Sequence, residues 1–303
     1  MSSSARAIVA EIASNHRRRP DAGDRQAVLI GLVGRGIAAS RSPVMHQREG
    51  ERLSMLYTYA LIDFDSAGLS DETLGEVIVA AAEAGFAGVN VTHPFKQTVI
   101  EHLTDLAPEA DAIGAVNTIV FREGRRTGHN TDSWGFAESF RRDMAGCSLT
   151  AILQLGAGGG GAAVAHALLE MGADRLAIHD TDHDRAERLA DALSARFGRV
   201  VEAAGPAAET LSQASGVVNA TPIGMAKYPG TPFNAGLLAA SQWVADIVYF
   251  PAATELLTQA RSLGCRTLGG TGMAVFQAVR AFELFTGVAP DRDAMARHFE
   301  AAA

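Results

Sequence analysis

The sequence predicts a two-domain α/β protein: an N-terminal α/β substrate domain, and a cofactor domain built on a Rossmann-type, doubly wound parallel sheet. Three observations predict it. Strand-like and helix-like segments alternate from about residue 27 onward, and such alternation implies parallel sheets because parallel neighbours need crossover connections. A glycine-rich turn at residues 156–161 joins one strand-like segment to one helix-like segment. The length of 303 residues exceeds what one small core organises and suits two domains.

In the first half, Ala27 to Gly34 (AVLIGLVG) reads as a buried strand. Ser42-Pro43 opens a helix, with Ser as N-cap and Pro at the first helical position. Leu56 to Asp65 reads as the second strand. Ser70 to Gly85 has an N-cap Ser, early acids, helical apolar spacing and a terminating Gly. Ala87 to Thr92 is strand-like, and Pro94 is expected to begin the next helix. Asn117 to Asn130 reads as a hairpin turning at Glu123-Gly124.

The second series starts near residue 150. Thr150 to Leu155, Arg175 to Asp180, Ser215 to Thr221 and Trp243 to Tyr249 read as strands. A helix runs from the glycine turn to Gly172, and Asp182 to Gly198 is an amphipathic helix. Thr271 to Gly287 and Ala289 to Ala302 are expected as the closing helices. The expected boundaries are an extension over 1–24, a first domain over 25–132 plus 268–303, and a second domain, which carries the glycine turn, over 133–267. The active site is expected between the two, at the strands' carboxyl ends.

Composition narrows the function classes. Hydrophobic residues make up 48% and charged residues 20%, which excludes a disordered chain. The net charge of −8 argues against non-specific binding to nucleic acid or anionic membrane. No apolar run approaches the length that spans a bilayer. The first 24 residues carry Arg17, Arg18 and Arg19 without a signal-peptide pattern, and are expected to form a poorly ordered tail or a short helix. Cys147 and Cys265 stand alone, giving neither a disulfide framework nor a metal site and fitting a reducing cytoplasm.

The turn Gly156-Ala157-Gly158-Gly159-Gly160-Gly161 satisfies G-x-G-x-x-G. The first glycine permits a tight turn, the second lets a pyrophosphate approach the backbone, and the third lets helix and strand pack closely. The helix N-terminus adds free N–H groups and positive potential. By itself the match equally describes a glycine-rich turn in another α/β domain. Here the next strand ends in Asp180, about 20 residues on, where the ribose-binding acid belongs. A carboxylate there accepts from the 2′-OH of NAD and repels the 2′-phosphate of NADP, which favours NAD. Arg185 follows later and is expected on the helix; if Asp180 is only a solvated strand end, the preference stays open.

Four further segments are polar at strand ends: Ser40-Arg41-Ser42-Pro43-Val44-Met45-His46, Asn90-Val91-Thr92-His93-Pro94-Phe95-Lys96, Gly114-Ala115-Val116-Asn117-Thr118 and Gly128-His129-Asn130-Thr131-Asp132. With Asn219-Ala220-Thr221-Pro222-Ile223-Gly224-Met225, Val248-Tyr249-Phe250-Pro251 and Gln277, this constellation resembles the shikimate dehydrogenase family over nearly everything after residue 27. Asp180, the Val-Tyr-x-Pro-x-x-Thr-Glu-Leu-Leu stretch and Gly270-Thr271-x-Met273 look most like its NAD-using quinate/shikimate branch.

The resemblance implies reversible oxidation of the ring C3 hydroxyl of shikimate or quinate, with hydride passing to NAD or NADP. It implies a catalytic pair, Lys96 and Asp132. Removing a hydroxyl proton as hydride leaves needs a group that holds and releases a proton, and a carboxylate beside a lysine favours its charged form. Taken singly, Lys96 reads as a solvated lysine and Asp132 as an N-cap. Ser40 and Ser42 are implied to bind the substrate carboxylate, and Thr92, Asn117, Tyr249 and Gln277 the remaining substrate polar groups. Asn117 also reads as a strand-end turn residue and Tyr249 as a core aromatic. The implied cofactor residues are Gly156, Ala157, Gly158, Gly159, Gly160, Gly161, Asp180, Asn219, Ala220, Thr221, Pro222, Met225, Gly270 and Met273. Met225 and Met273 read equally as gap-filling core methionines.

Departures from the family pattern are Gln47 where Asn is usual and Gly161 where many relatives carry a polar side chain. Ser42 fits shikimate as readily as quinate. His46, His93 and His129 lack metal-ligand spacing and are expected to be structural. No metal, nucleic acid or membrane partner is expected, and the chain is expected to be a monomer or homodimer. The rival readings are an aminoshikimate or other cyclic hydroxy-acid dehydrogenase, and a non-catalytic NAD-binding sensor or repressor.

Overall fold

The computed structural model describes residues 5–18 and 26–301. By their contacts they group into two compact units, one running through Thr131 and resuming at Ala278, the other Asp132–Gln277. Sequence spacing puts the second crossing at 267/268, whereas it falls later, inside the helix Thr271–Thr286. The reason is packing. Met273 joins the core of the second unit, while Phe282 stacks on Tyr57 in the first.

The first unit is a six-stranded sheet in the order β2-β1-β3-β5-β6-β4. Its strands are β1 (Ala27–Gly34), β2 (Leu56–Asp63), β3 (Gly88–Val91), β4 (Asp105–Leu106), β5 (Thr118–Arg122) and β6 (Arg125–His129). β2, β1 and β3 are parallel, but β5 runs antiparallel to both β3 and β6. The sheet is therefore mixed, its antiparallel pair being the hairpin expected over Asn117 to Asn130. Glu123 and Gly124 both adopt positive φ, 52° and 74°, and so form the tight two-residue hairpin expected there. Because of the reversal, β5 begins, and β6 ends, at the edge of the sheet where β3 ends. Leu29, Val33, Ile62, Val89 and Ile119 are buried in one apolar cluster of this unit. Each such side chain contributes about 1.5–3 kcal/mol of burial.

The N-terminal segment forms the short helix Ala5–Arg17, not a tail. Its buried stripe, Ala5, Val9 and Ala13, recurs every fourth residue and packs against the helix Leu74–Glu83. Residues 1–4 and 19–25 of the expected extension, and Ala302 of the expected closing helix, lie outside the described residues.

The second unit is all parallel, in the order β12-β11-β10-β7-β8-β9, which is the Rossmann order. Its strands are β7 (Ala151–Leu155), β8 (Arg175–His179), β9 (Val200–Ala203), β10 (Gly216–Asn219), β11 (Trp243–Asp246) and β12 (Arg266–Leu268). Val218 faces one apolar layer and Val217 the other, so both faces of the sheet are covered. No helix among the described residues is long and apolar enough to cross a membrane.

Two local expectations are corrected. Ser42 is the first residue of the helix Ser42–Arg52, with Arg41 in the N-cap position and no side-chain cap bond. The backbone N–H of Ser42 is instead taken by the Ser40 hydroxyl at 3.3 Å. Pro94 does not begin a helix: turns follow it, then a short 3-10 helix, Thr98–His102. The Lys96 carbonyl accepts from Val116 N at 2.7 Å, beside β5, and is thereby withdrawn from the i+4 ladder a helix would need.

Candidate active site

In the first unit the parallel strands β1 and β3 deliver two loops to one edge. The loop after β1 carries Ser40 and Ser42. The Asp63 carboxylate, at the end of β2, holds that loop by accepting from Gly36 N at 3.0 Å and Ile37 N at 3.1 Å. Both serines are half-buried. The Ser40 oxygen accepts the Ser42 N–H, so its own hydrogen stays free to donate to an anion. The loop after β3 carries Thr92 and Lys96. Arg35 N donates to His93 O at 3.1 Å, tying the two loops together.

The antiparallel hairpin brings the remaining polar group to the same edge. Asn117 is buried at 3% exposure, just before β5. Its side-chain oxygen accepts from Thr131 N at 2.8 Å, and its amide donates to Thr131 Oγ1 at 2.9 Å. Thr131 begins the helix Thr131–Asp143, and Asp132 follows it in the first turn. A carboxylate is favoured there by the helix dipole. Asn117 is therefore more than a strand-end turn residue: it fixes the start of the helix that carries Asp132.

In the second unit, Asp132 and Gln277 stand on helices that touch. Gly135 packs so closely on the helix Thr271–Thr286 that a Cβ there would lie 2.7 Å from Gln277 N. The Gln277 amide donates to Ala274 O at 2.9 Å.

The glycine loop follows β7. Gly156 has φ +99°, and a Cβ on it would meet Ala220 O at 2.6 Å. A Cβ on Gly161 would meet Gly156 O at 2.2 Å. Both positions therefore require glycine. Gly158 is the N-cap of the helix Gly159–Glu170, and nothing lies within 4 Å of where its Cβ would be. An open backbone at a helix N-terminus, without side chains in the way, fits a dinucleotide pyrophosphate.

Asp180 does two things at once. Its side chain is only 8% exposed. Oδ2 accepts from Ala157 N at 2.7 Å, and Oδ1 accepts from Asp182 N at 2.9 Å. The alternative of a solvated strand end is overturned. Arg185 lies on the helix His183–Phe197, its guanidinium 3.5 Å from Asp180 and 3.1 Å from Asp182.

The ends of β7, β10 and β11 are in register, Leu155 with Asn219 and Asn219 with Asp246. Asn219 is fully buried and shapes its own loop. Its oxygen accepts from Thr221 N and Oγ1 at 3.0 and 2.7 Å, and its amide donates to Ile223 O at 2.8 Å. Ala220 N is bonded to Leu155 O, and Pro222 O accepts from Met225 N. Met225 and Tyr249 are 41% and 40% exposed, so neither is a core filler, whereas Met273 is buried. A Cβ on Gly270 would strike Ile247 O at 2.3 Å, which seats the start of the last long helix against the β11 loop.

Sequence reasoning missed two residues here. Gln154, fully buried on β7, donates through Nε2 to both Gly156 O and Gly161 O at 2.9 Å, stapling the loop's ends. Asp246 accepts from Asn219 Nδ2 at 3.0 Å, Val248 N at 3.0 Å and Thr254 Oγ1 at 2.8 Å, and burial pushes its carboxyl pKa up. The available signal was one polar residue in an otherwise apolar strand run, which must find internal partners. Among the described residues no group of three or more His, Cys, Asp or Glu could hold a metal. His46 is wholly buried, as a structural histidine would be.

Comparison with known proteins bears on this geometry. Residues 32–119 match the family described as shikimate dehydrogenase substrate binding domain, and residues 270–298 the shikimate 5'-dehydrogenase C-terminal domain. A shikimate dehydrogenase (NADP(+)) from Streptomyces avermitilis is 52% identical, over 88% of this chain and 93% of that protein. The chain belongs to the shikimate dehydrogenase family. Within that family it is also 44% identical to a quinate/shikimate dehydrogenase (NAD(+)) from Corynebacterium efficiens, over 91% of this chain and 99% of that one. A solved quinate dehydrogenase from Corynebacterium glutamicum in complex with NAD superposes with a TM-score of 0.85 at 42% identity, covering 91% of this chain and all (100%) of that chain.

Proposed function

We propose that this chain is a shikimate/quinate dehydrogenase that reversibly oxidises the ring C3 hydroxyl of its substrate, with NAD as the preferred cofactor. The observation that carries the reading is the shared sheet edge. There Ser40, Ser42, Thr92, Lys96 and Asn117 gather, and Thr131 leads directly into Asp132. We assign substrate binding to the first unit together with Gln277 and Tyr249, and cofactor binding to the glycine loop, Asp180 and the loops after β10 and β11.

In this reading the serine hydroxyls hold the substrate carboxylate, and Thr92, Asn117 and Gln277 orient the ring. Lys96 and Asp132 together accept the hydroxyl proton as the carbonyl forms, and in reverse an ammonium stabilises the developing alkoxide. When bound, the nicotinamide supplies the hydride acceptor. The N–H groups at the start of the helix Gly159–Glu170 would hold the pyrophosphate.

Relatives carry both cofactor names, so family membership leaves that choice to this chain's own residues. Asp180 favours NAD, because a 2′-phosphate would meet a carboxylate whose nearest guanidinium, Arg185, is already shared with Asp182.

The test is absorbance of reduced nicotinamide with shikimate and quinate, each with NAD and with NADP. Turnover with NAD exceeding that with NADP is expected, and the substrate ratio distinguishes shikimate from quinate. Turnover only with NADP would overturn the cofactor assignment. No turnover in any combination, with NAD still bound, would overturn the enzyme reading in favour of another substrate or a sensor.

A further inference from the structure

A chain of buried hydrogen bonds leads from the far side of the first sheet to the site. The Tyr59 hydroxyl, on β2, donates to Asn90 Oδ1 at 2.9 Å, reaching past β1 to β3. Asn90 Nδ2 donates to Thr118 Oγ1 at 2.9 Å and to Asn117 O at 3.2 Å. Thr118 Oγ1 donates to Asn117 Oδ1 at 3.0 Å. Asn117 then holds Thr131 by the two bonds described above. Tyr59, Asn90, Asn117, Thr118 and Thr131 are all buried, none more than 6% exposed.

We propose that Tyr59, Asn90 and Thr118 are positioning residues for the dehydrogenase reaction, acting by fixing the orientation of Asn117 and, through Thr131, the start of the helix bearing Asp132. The donor count supports this. The Asn117 oxygen receives Thr118 Oγ1, Thr131 N and Thr131 Oγ1, the last at 3.2 Å. It has no capacity left for a ligand. The amide gives one hydrogen to Thr131, leaving the other to donate to a substrate oxygen. Asn117 can thus serve substrate only as a donor, and Thr118 shares with Thr131 the task of keeping its oxygen turned inward. Lys96 depends on the same segment, because its carbonyl is held by Val116 N and the Asn117 carbonyl accepts from Val91 N at 2.8 Å. In a low-dielectric interior, a fully satisfied chain of this kind fixes one arrangement, and losing a single member strands its neighbours.

The inference rests on the dehydrogenase reading. It is tested by steady-state kinetics of Thr118→Val, Thr118→Ser and Tyr59→Phe beside wild type, varying substrate and cofactor separately. Thr118→Val is expected to lower kcat/KM for the acid substrate by about tenfold to a hundredfold, the scale on which small misplacements act. The cofactor KM should stay within about twofold of wild type, and Thr118→Ser, which keeps the hydroxyl, should recover to within about threefold. If Thr118→Val does not fold, Tyr59→Phe decides: a substrate-side loss of about threefold or more supports the proposal, and none overturns it. The proposal is also overturned if Thr118→Val matches wild type, if Ser is as damaged as Val, or if the cofactor KM rises in step. An inactive wild type refutes the dehydrogenase reading and this inference with it, whereas an active wild type beside unaffected variants refutes the inference alone.

Discussion

The Asp180 carboxylate accepts the Ala157 backbone N–H at 2.7 Å, joining the end of β8 to the middle of the glycine loop. In the proposed reading, one side chain both shapes the pyrophosphate cradle and sets the charge at the ribose position. The two roles separate in Asp180→Asn, which keeps an oxygen for Ala157 but removes the charge and the acceptor of the Asp182 N–H. The ratio of kcat/KM for NADP to that for NAD is expected to rise about tenfold or more, since like charges in one site cost several kcal/mol. Asp180→Ala removes the acceptor as well and should weaken both cofactors. An unchanged ratio in Asp180→Asn would place the source of selectivity elsewhere.

Lys96 and Asp132 are proposed to act as one proton-handling unit. Lys96→Ala and Asp132→Asn are each expected to lower kcat by about a hundredfold to ten-thousandfold, the range of general acid–base contributions. Calorimetric affinity for the cofactor should be retained. Because groups that act as a unit are not additive, the double variant should fall little further than the worse single one. A double variant reduced by the product of the two losses would show independent roles.

Much of this arrangement was legible because it is local. The runs Gly216–Asn219 and Trp243–Asp246 are buried along their whole length, so their apolar sequence marks them as parallel strands. The glycine loop declares itself because its backbone tolerates nothing else at Gly156 and Gly161. What escaped depends on partners distant in sequence. The Glu123-Gly124 hairpin could be read, but not that β5 pairs with β3, which is what brings Asn117 against Val91, the residue before Thr92. β4 and β12 are two and three residues long, too short to show a period. The pattern after Pro94 is helical by sequence, but the Lys96 carbonyl is bonded to Val116, twenty residues away. Ser42 falls inside the helix as its first residue, one position later than its N-cap pattern suggests, with Arg41 at the cap position.

Gln154 gives a prediction that spacing alone does not. Its Nε2 satisfies two carbonyls, Gly156 O and Gly161 O, inside the unit. Gln154→Leu keeps the volume and abandons both acceptors. Stability should fall by about 1–3 kcal/mol in denaturant titration, the cost of stranding buried polar groups. Affinity for NAD should weaken alongside, because the loop's two ends are no longer stapled. A variant with wild-type stability and affinity would show that these carbonyls find other partners.

His46 makes stability depend on pH in a definite direction. Its ring is packed among Tyr57, Tyr59 and Phe282, with Nδ1 3.1 Å from the Tyr57 hydroxyl. Burial lowers its pKa to about 3. In the unfolded chain an imidazole titrates near 6.5, so between pH 6.5 and 3 the unfolded state binds a proton that the folded state refuses. Stability is therefore full above about pH 6.5 and falls as pH drops, at up to about 1.4 kcal/mol per pH unit. Going from pH 7 to pH 5, wild type should lose about 2 kcal/mol more than His46→Gln, which has no proton to gain there. The measurement is the denaturant midpoint and slope of both proteins at the two pH values. Equal losses would mean that the buried ring is protonated in place and that the acid sensitivity arises from the carboxylates instead.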